Sequence, residues 1–169
     1  LGESICESLA KLQDQVDPLP GEDAIAIIEQ ALGQSSLNAF QSIDQEPIAS
    51  ASIAQVHGAR LITGEAVVIK IVRPGIEQRI RSEMQALIEV SLWLESRLPL
   101  IRQIHLTQIL DDQLTVLLAE LSMFREARNQ IQLRRNFADS PLLYVPRLYG
   151  GFTRQNLLVM ERIDAPSIG

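Results

Sequence analysis

Residues 47–72, PIASASIAQVHGARLITGEAVVIKIV, decide how the rest of the chain is read. They describe a short extended segment, a run of small residues, a β-hairpin turning at Thr63-Gly64, and an apolar strand with one charge inside it. That charge is Lys70, flanked by Val67, Val68, Ile69, Ile71 and Val72. An ammonium inside a β-branched run is costly to bury alone, so it must reach a solvated face or meet an anion. Side chains alternate along a strand, which puts Ile69 and Ile71 together on the opposite face. Two readings of the lysine follow: an edge-strand charge that blocks aggregation, or a phosphate-binding group facing the small-residue loop.

The 169 residues carry a formal charge of -6 and are 46% hydrophobic. That suits one globular domain, or a lobe of a larger one, with a sizeable core. An acidic balance gives no overall attraction to phosphate backbones, so nucleic acid is not an expected partner. The single Cys6 cannot make an internal disulfide, and no Cys/His grouping has metal-ligand spacing. A reducing compartment fits. No apolar run approaches the roughly 18 residues of a membrane span. The chain starts at Leu1 rather than Met and stops at Gly169 just after a strand-like segment, so the expectation is a piece cut from something longer.

Around the lysine strand the pattern is mostly helical. Residues 3–15 place Ile5, Leu9 and Leu12 on one stripe, closed by Asp17-Pro18-Leu19-Pro20. A second helix begins with the acids Glu22 and Asp23, spaces Ile25, Ile28 and Leu32, and stops at Gly33. From Phe40 the pattern changes to short extended pieces that lead into the hairpin. After Pro74-Gly75, the apolar residues Ile76, Ile80, Met84, Leu87, Val90 or Ser91, Leu94 and Leu98 recur at helical spacing up to Pro99. Glu77, Arg79, Arg81, Glu83 and Glu95 form the solvated side. Residues 106–121 read as a further helix that ends near Ser122, and residues 124–136, FREARNQIQLRRN, continue helically with Phe124, Ala127, Ile131 and Leu133 or Arg134 toward the core. Glu120 and Glu126 lie about 120° apart around an unbroken helix. One of them can meet Lys70, and the other needs a different partner or a break in the helix. Residues 144–152 and 156–163 suggest two strands turning at Thr153-Arg154-Gln155.

A hairpin with a strand lysine, a helix with a glutamate and then two strands is the order of a protein-kinase N-lobe, and AVVIK resembles the kinase VAIK lysine. LAKLQDQVDPLP, EPIASASIAQVHGARL, VVIKIVRPGIE, ELSMFREARNQ and LYVPRLYGGFTRQNLLVMERID resemble, in sequence and in order, the ABC1/UbiB family of atypical kinases over almost the whole chain. The resemblance implies an α+β protein-kinase-like N-lobe: a small antiparallel sheet with an αC-type helix, plus N-terminal and inserted helices. The expected division is a helical extension over 1–39 and an N-lobe over 40–169. Within the lobe, strands fall at about 46–72, inserted helices at about 76–121, the αC-type helix at about 123–137 and the last two strands at about 144–163. The C-lobe would lie beyond Gly169.

The same resemblance implies binding of ATP or ADP with Mg2+, and a tie to isoprenoid quinone biosynthesis, of ubiquinone or plastoquinone. It points to an ATPase or small-molecule kinase rather than a protein kinase. By position, Lys70 matches the lysine that contacts nucleotide phosphates, and Glu126 matches the glutamate that orients it. Ala49, Ser50, Ala51 and Ser52 match an alanine-rich loop that replaces the usual glycine-rich one. Met160, Glu161, Arg162 and Ile163 match the hinge whose backbone would bond the adenine edge. Implied partners are adenine nucleotide, the C-lobe, and quinone-biosynthesis proteins or membrane lipid. The implied place is the cytoplasmic side of a membrane, peripherally, or an equivalent surface in a plastid or mitochondrion.

Two departures matter. The family carries Glu-x-Asp just before the αC-type glutamate, whereas this chain reads Glu120-Leu121-Ser122, and a serine cannot supply the second carboxylate. The family's Lys-x-Gly-Gln motif would precede Leu1, and its metal-binding and catalytic acids would follow Gly169. No metal ligands are therefore expected within these residues, and the chain alone is expected to be inactive. The alternative reading is a pseudokinase or lipid-binding scaffold with the same fold and no turnover, for which Ser122 is the hint. His57 reads as a packing or hydrogen-bonding residue, His105 as a neighbour of a helix cap, Trp93 as core or lobe packing or an exposed face, and Cys6 as a small buried group. Arg73 and Arg162 are candidates for phosphate or C-lobe contact.

Overall fold

Alternation along AVVIKIV sets the architecture. The computed structural model describes residues 18–163. Their elements run α1 (Gly21–Leu32), α2 (Gln34–Leu37), β1 (Phe40–Ser50), β2 (Ala54–Leu61), β3 (Ala66–Val72), α3 (Ile76–Arg97), α4 (Pro99–Ile104), α5 (Leu106–Glu120), α6 (Met123–Asn136), a 3-10 turn (Gly150–Phe152) and β4 (Leu157–Glu161). The sheet is antiparallel with strand order β1-β2-β3-β4. The stripe of Ile5, Leu9 and Leu12, and Cys6, lie outside the described residues.

Odd and even positions of β3 serve two different cores. Val67, Ile69 and Ile71 are fully buried with Ala59 and Leu61 of β2 and Leu157 and Val159 of β4, and α1 closes this face with Ala24, Ile28 and Leu32. On the other face Val72 and Leu158 pack beneath Leu121, just after α5, and Met123 and Ala127 at the start of α6. Each large aliphatic side chain buried this way contributes about 1.5–3 kcal/mol. The lysine strand is covered from both sides, which explains why its only polar residue needs a partner.

β1 extends further than the expected start near residue 46. It runs from Phe40, whose ring packs 5.1 Å from that of Phe152. Its pairing with β2 slips around Pro47, which has no N–H to donate. The expected strand over 144–152 is corrected. Leu148 makes one bridge to Met160, Tyr149 N–H donates to Val159 at 3.0 Å, and Arg147 C=O accepts from Glu161 N–H at 2.8 Å. Pro146 removes the next donor and Gly150–Phe152 curls into a 3-10 turn, so the segment follows β4 without becoming a strand.

The helix faces are corrected too. Only Met123 and Ala127 of α6 are buried, while Phe124, Ile131 and Leu133 are exposed. Turning Glu126 toward the sheet carries position 124 about 160° away around the helix, so the phenyl ring has to face out. On α3 the buried residues are Met84 and Ser91; Leu87, Val90 and, just past its end, Leu98 are exposed, and Trp93 is 58% exposed beneath the Arg97 guanidinium. Polar contacts join α3 to α5: Ser91 Oγ lies 2.8 Å from Thr107 Oγ1, and Glu95 accepts from Thr107 N–H at 2.8 Å. Glu95 thus caps α5 from outside, at the point where His105 takes a left-handed conformation. Glu77 with Arg81 and Glu83 with Arg79 pair along the solvated side. Among the described residues, no helix is long and apolar enough to cross a membrane.

Candidate functional site

Sheet register assembles the site. Ala49 pairs with Val56, Val56 with Lys70 and Lys70 with Leu158, so four strands contribute one residue each to a single cross-sheet row. Directly opposed residues point to the same side of a sheet. The lysine therefore shares its face with Ala49 near the end of β1, two strands or about 10 Å away. It also shares that face with α6, which is anchored above Leu158.

From α6, Glu126 reaches down to the lysine. Lys70 Nζ donates to Oε1 at 2.7 Å and to Oε2 at 2.8 Å, and the two side chains are 27% and 32% exposed. The ammonium has three donors, so holding both carboxylate oxygens leaves one for a further anion on the open side. A pair this accessible contributes on the order of 1 kcal/mol to stability. The two bonds fix the position of the amine while adding little to the fold.

Glu120 stands close by because the helix breaks. α5 ends at Glu120, Leu121 continues with helical angles, and Ser122 is extended at the start of α6 with no side-chain cap. Across the break Glu120, Ser122 and Glu126 line one open cavity of about 350 Å3, with Ala119, Arg125 and Asn129. Two acidic residues that an unbroken helix would set about 120° apart thus line a common space, with Ser122 beside them.

The small-residue loop lies at the end of the same row. Ala49 and Ser50 close β1, and Ala51, Ser52 and Ile53 make the turn into β2, with Ala51 N–H donating to Ala54 at 2.9 Å. No residue of this turn takes a positive φ. It is not shaped as a glycine loop would be, and a neighbour holds it: Arg73 Nε donates to Ala51 C=O at 2.9 Å and Nη2 to Ser50 Oγ at 2.6 Å. Sequence periodicity carries no signal for this contact, because its ends lie on different elements.

Met160 and Glu161 close β4, and Arg162 and Ile163 follow it. Met160 pairs with Val68 and packs against the α6 core, and Arg162 N–H donates to Ala66 at 3.1 Å. The Glu161 carboxylate accepts from Tyr144 Oη at 2.6 Å and from Arg147 N–H at 3.0 Å. These two hydrogen bonds, the Tyr144 hydroxyl first, hold its pKa below the usual carboxylate range. Ile163, two positions on from Glu161, ends the described segment.

His57 belongs to the opposite core. Fully buried, it sits between Gln55 Nε2, 3.0 Å from its Nε2, and Asp44 C=O, 2.9 Å from its Nδ1. Gln55 Oε1 accepts from Leu19 N–H, so its amide donates to the ring and His57 carries its proton on Nδ1. The network ties the entry of α1 to β2 and has no route to Lys70. Among the described residues, no group of three or more His, Cys, Asp or Glu could hold a metal.

A four-stranded sheet, a helix laid across one face and an ion pair joining them define a kinase-like α+β fold. The ABC1 atypical kinase-like domain matches residues 11–169, and the chain belongs to that family. Curated relatives named probable protein kinase UbiB include one from Azotobacter vinelandii, 45% identical over 96% of this chain, and one from Cellvibrio japonicus, 46% identical over 92%. The chain spans only 30% and 28% of their lengths. Among solved structures, Rv3197 of Mycobacterium tuberculosis in complex with erythromycin matches with a TM-score of 0.69 at 26% identity, over 96% of this chain and 40% of that one.

Proposed function

We propose that this chain is the ATP-binding N-lobe of an atypical kinase or ATPase serving isoprenoid quinone biosynthesis. One observation carries the reading: Lys70 is gripped by both oxygens of Glu126 in the same cross-sheet row as Ala49, where the alanine-rich loop begins. A lysine held this way can neutralise a phosphate without drifting, and positioning with charge stabilisation is most of what phosphoryl transfer asks of a protein. The loop would face the phosphates, and backbone groups of residues 160–163 the adenine edge. The ligands for Mg2+ would come from the part of the relatives this chain does not span. Bound there, the metal would neutralise phosphate charge. Turnover accordingly belongs to the longer protein, and residues 1–169 alone are inactive. The UbiB name of the relatives supports the quinone assignment. Work on such a substrate would place the protein at a membrane surface.

Ser122 favours a second reading, a pseudokinase or lipid-binding scaffold with the same fold and no turnover. Thermal melting of the full-length protein with ADP and Mg2+ tests the first. A ligand at 100 times its Kd stabilises by about 2.7 kcal/mol. Lys70→Ala abolishes that shift on this account. A full shift in the variant refutes it, and a shift without ATP hydrolysis in the wild type favours the scaffold.

A further inference from the structure

We propose that Arg73 is a positioning residue that fixes the alanine-rich loop relative to Lys70 and thereby sets nucleotide affinity. The proposal rests on the nucleotide-binding reading above and adds to it the residue that shapes the loop. Arg73 follows β3 directly, three positions after Lys70, and it binds the loop at three points. Its guanidinium donates to Ala51 C=O at 2.9 Å and to Ser50 Oγ at 2.6 Å, and its backbone N–H donates to Ile53 C=O at 3.0 Å. The two side-chain bonds leave from Nε and Nη2, neighbouring donors on one edge of a rigid planar fork. A lysine, with a single point of charge on a flexible stem, cannot reproduce both.

The loop needs such a brace. Glycine loops hold phosphates through left-handed backbone, whereas the only non-glycine residue with positive φ among the described residues is His105, far along the chain. Residues 50–53 take ordinary conformations, and a single residue holds three of them in place. Because loop and lysine are both tied to the end of β3, they move as one body. Phosphate contacts made by the two then need no separate ordering step, the kind of preorganisation that raises affinity.

The test uses the full-length protein with Arg73→Ala, Arg73→Lys and Ser50→Ala, and Lys70→Ala as a reference. Two quantities are read: amide hydrogen exchange at Ala51, whose N–H closes the turn onto Ala54, and the Kd for ADP with Mg2+. In Arg73→Ala the Ala51 amide exchanges faster without nucleotide and ADP binds about tenfold more weakly. Arg73→Lys recovers only part of that loss. Ser50→Ala, which leaves the guanidinium and the Ala51 bond in place, gives a smaller effect in the same direction and supplies the result if Arg73→Ala does not fold. Unchanged exchange at Ala51 overturns the clamp. Faster exchange with unaltered ADP affinity, while Lys70→Ala abolishes binding, overturns its role toward nucleotide, and full rescue by Arg73→Lys overturns the fork geometry. A wild-type protein that binds no ADP overturns the proposed function and the affinity claim with it, and the exchange measurement then judges the clamp alone.

Discussion

At the scale of single residues, the pair of Lys70 and Glu126 separates function from stability. Its side chains are 27% and 32% exposed, so breaking it costs on the order of 1 kcal/mol. Glu126→Gln should therefore shift a denaturation midpoint only slightly while lowering ATP turnover of the full-length protein at least tenfold. A large loss of stability with unchanged turnover would make the pair a structural bridge. Tyr144 and Glu161 offer a pH test. The tyrosine hydroxyl is the main cause of the lowered Glu161 pKa. A lowered folded-state pKa means the pair's stabilisation is present above the carboxylate's unfolded pKa and is lost as pH falls through the folded value. Tyr144→Phe should move the Glu161 titration, followed by carboxyl NMR, to higher pH. A titration left in place would deny that the hydroxyl is the cause.

At the scale of elements, β3 joins two cores, and either can be loosened separately. Leu158 is fully buried under α6 and Ile69 is fully buried under α1. Each truncated to alanine should cost 2–5 kcal/mol, roughly, in urea unfolding of the full-length protein. Leu158→Ala should also raise amide exchange along α6, because α6 stands on that residue, whereas Ile69→Ala should leave α6 exchange nearer to normal. Equal effects of the two on α6 would mean that the sheet does not insulate its faces.

The same elements show what could be read in the sequence. Alternation in AVVIKIV was enough to separate Ile69 and Ile71 from Lys70, since a strand has only two faces. A helix end near Ser122 was legible, although the spacing of Glu120 and Glu126 left open either a break or a second partner for one of them. The face of α6 was misread: Phe124 is more apolar than Met123, and composition gives no sign that Glu126 must point at the sheet. Residues 144–152 have the apolar residues of a strand, but Pro146 and Gly150-Gly151 deny them its hydrogen bonds. The Arg73 clamp joins residues over twenty positions apart through side-chain donors, and no local pattern encodes such a contact.

At the scale of the whole molecule, the sheet is flanked by helices on both faces. The chain covers about 30% of the UbiB relative from Azotobacter vinelandii, and the helical insert leaves large apolar side chains such as Trp93, Leu98 and Leu100 exposed. Residues 1–169 alone should consequently self-associate as concentration rises, which sizing at several dilutions will show; a monomer at every concentration would mean that these side chains are tolerated in water. The full-length protein should be less prone to this.

The most direct test of the account is an experimental structure of the full-length protein with ADP and Mg2+. A phosphate oxygen within hydrogen-bond distance of Lys70 Nζ, with Glu126 still on the amine and residues 50–53 over the phosphates, is the predicted result. A nucleotide bound elsewhere, with Lys70 and Glu126 paired and untouched, would contradict it.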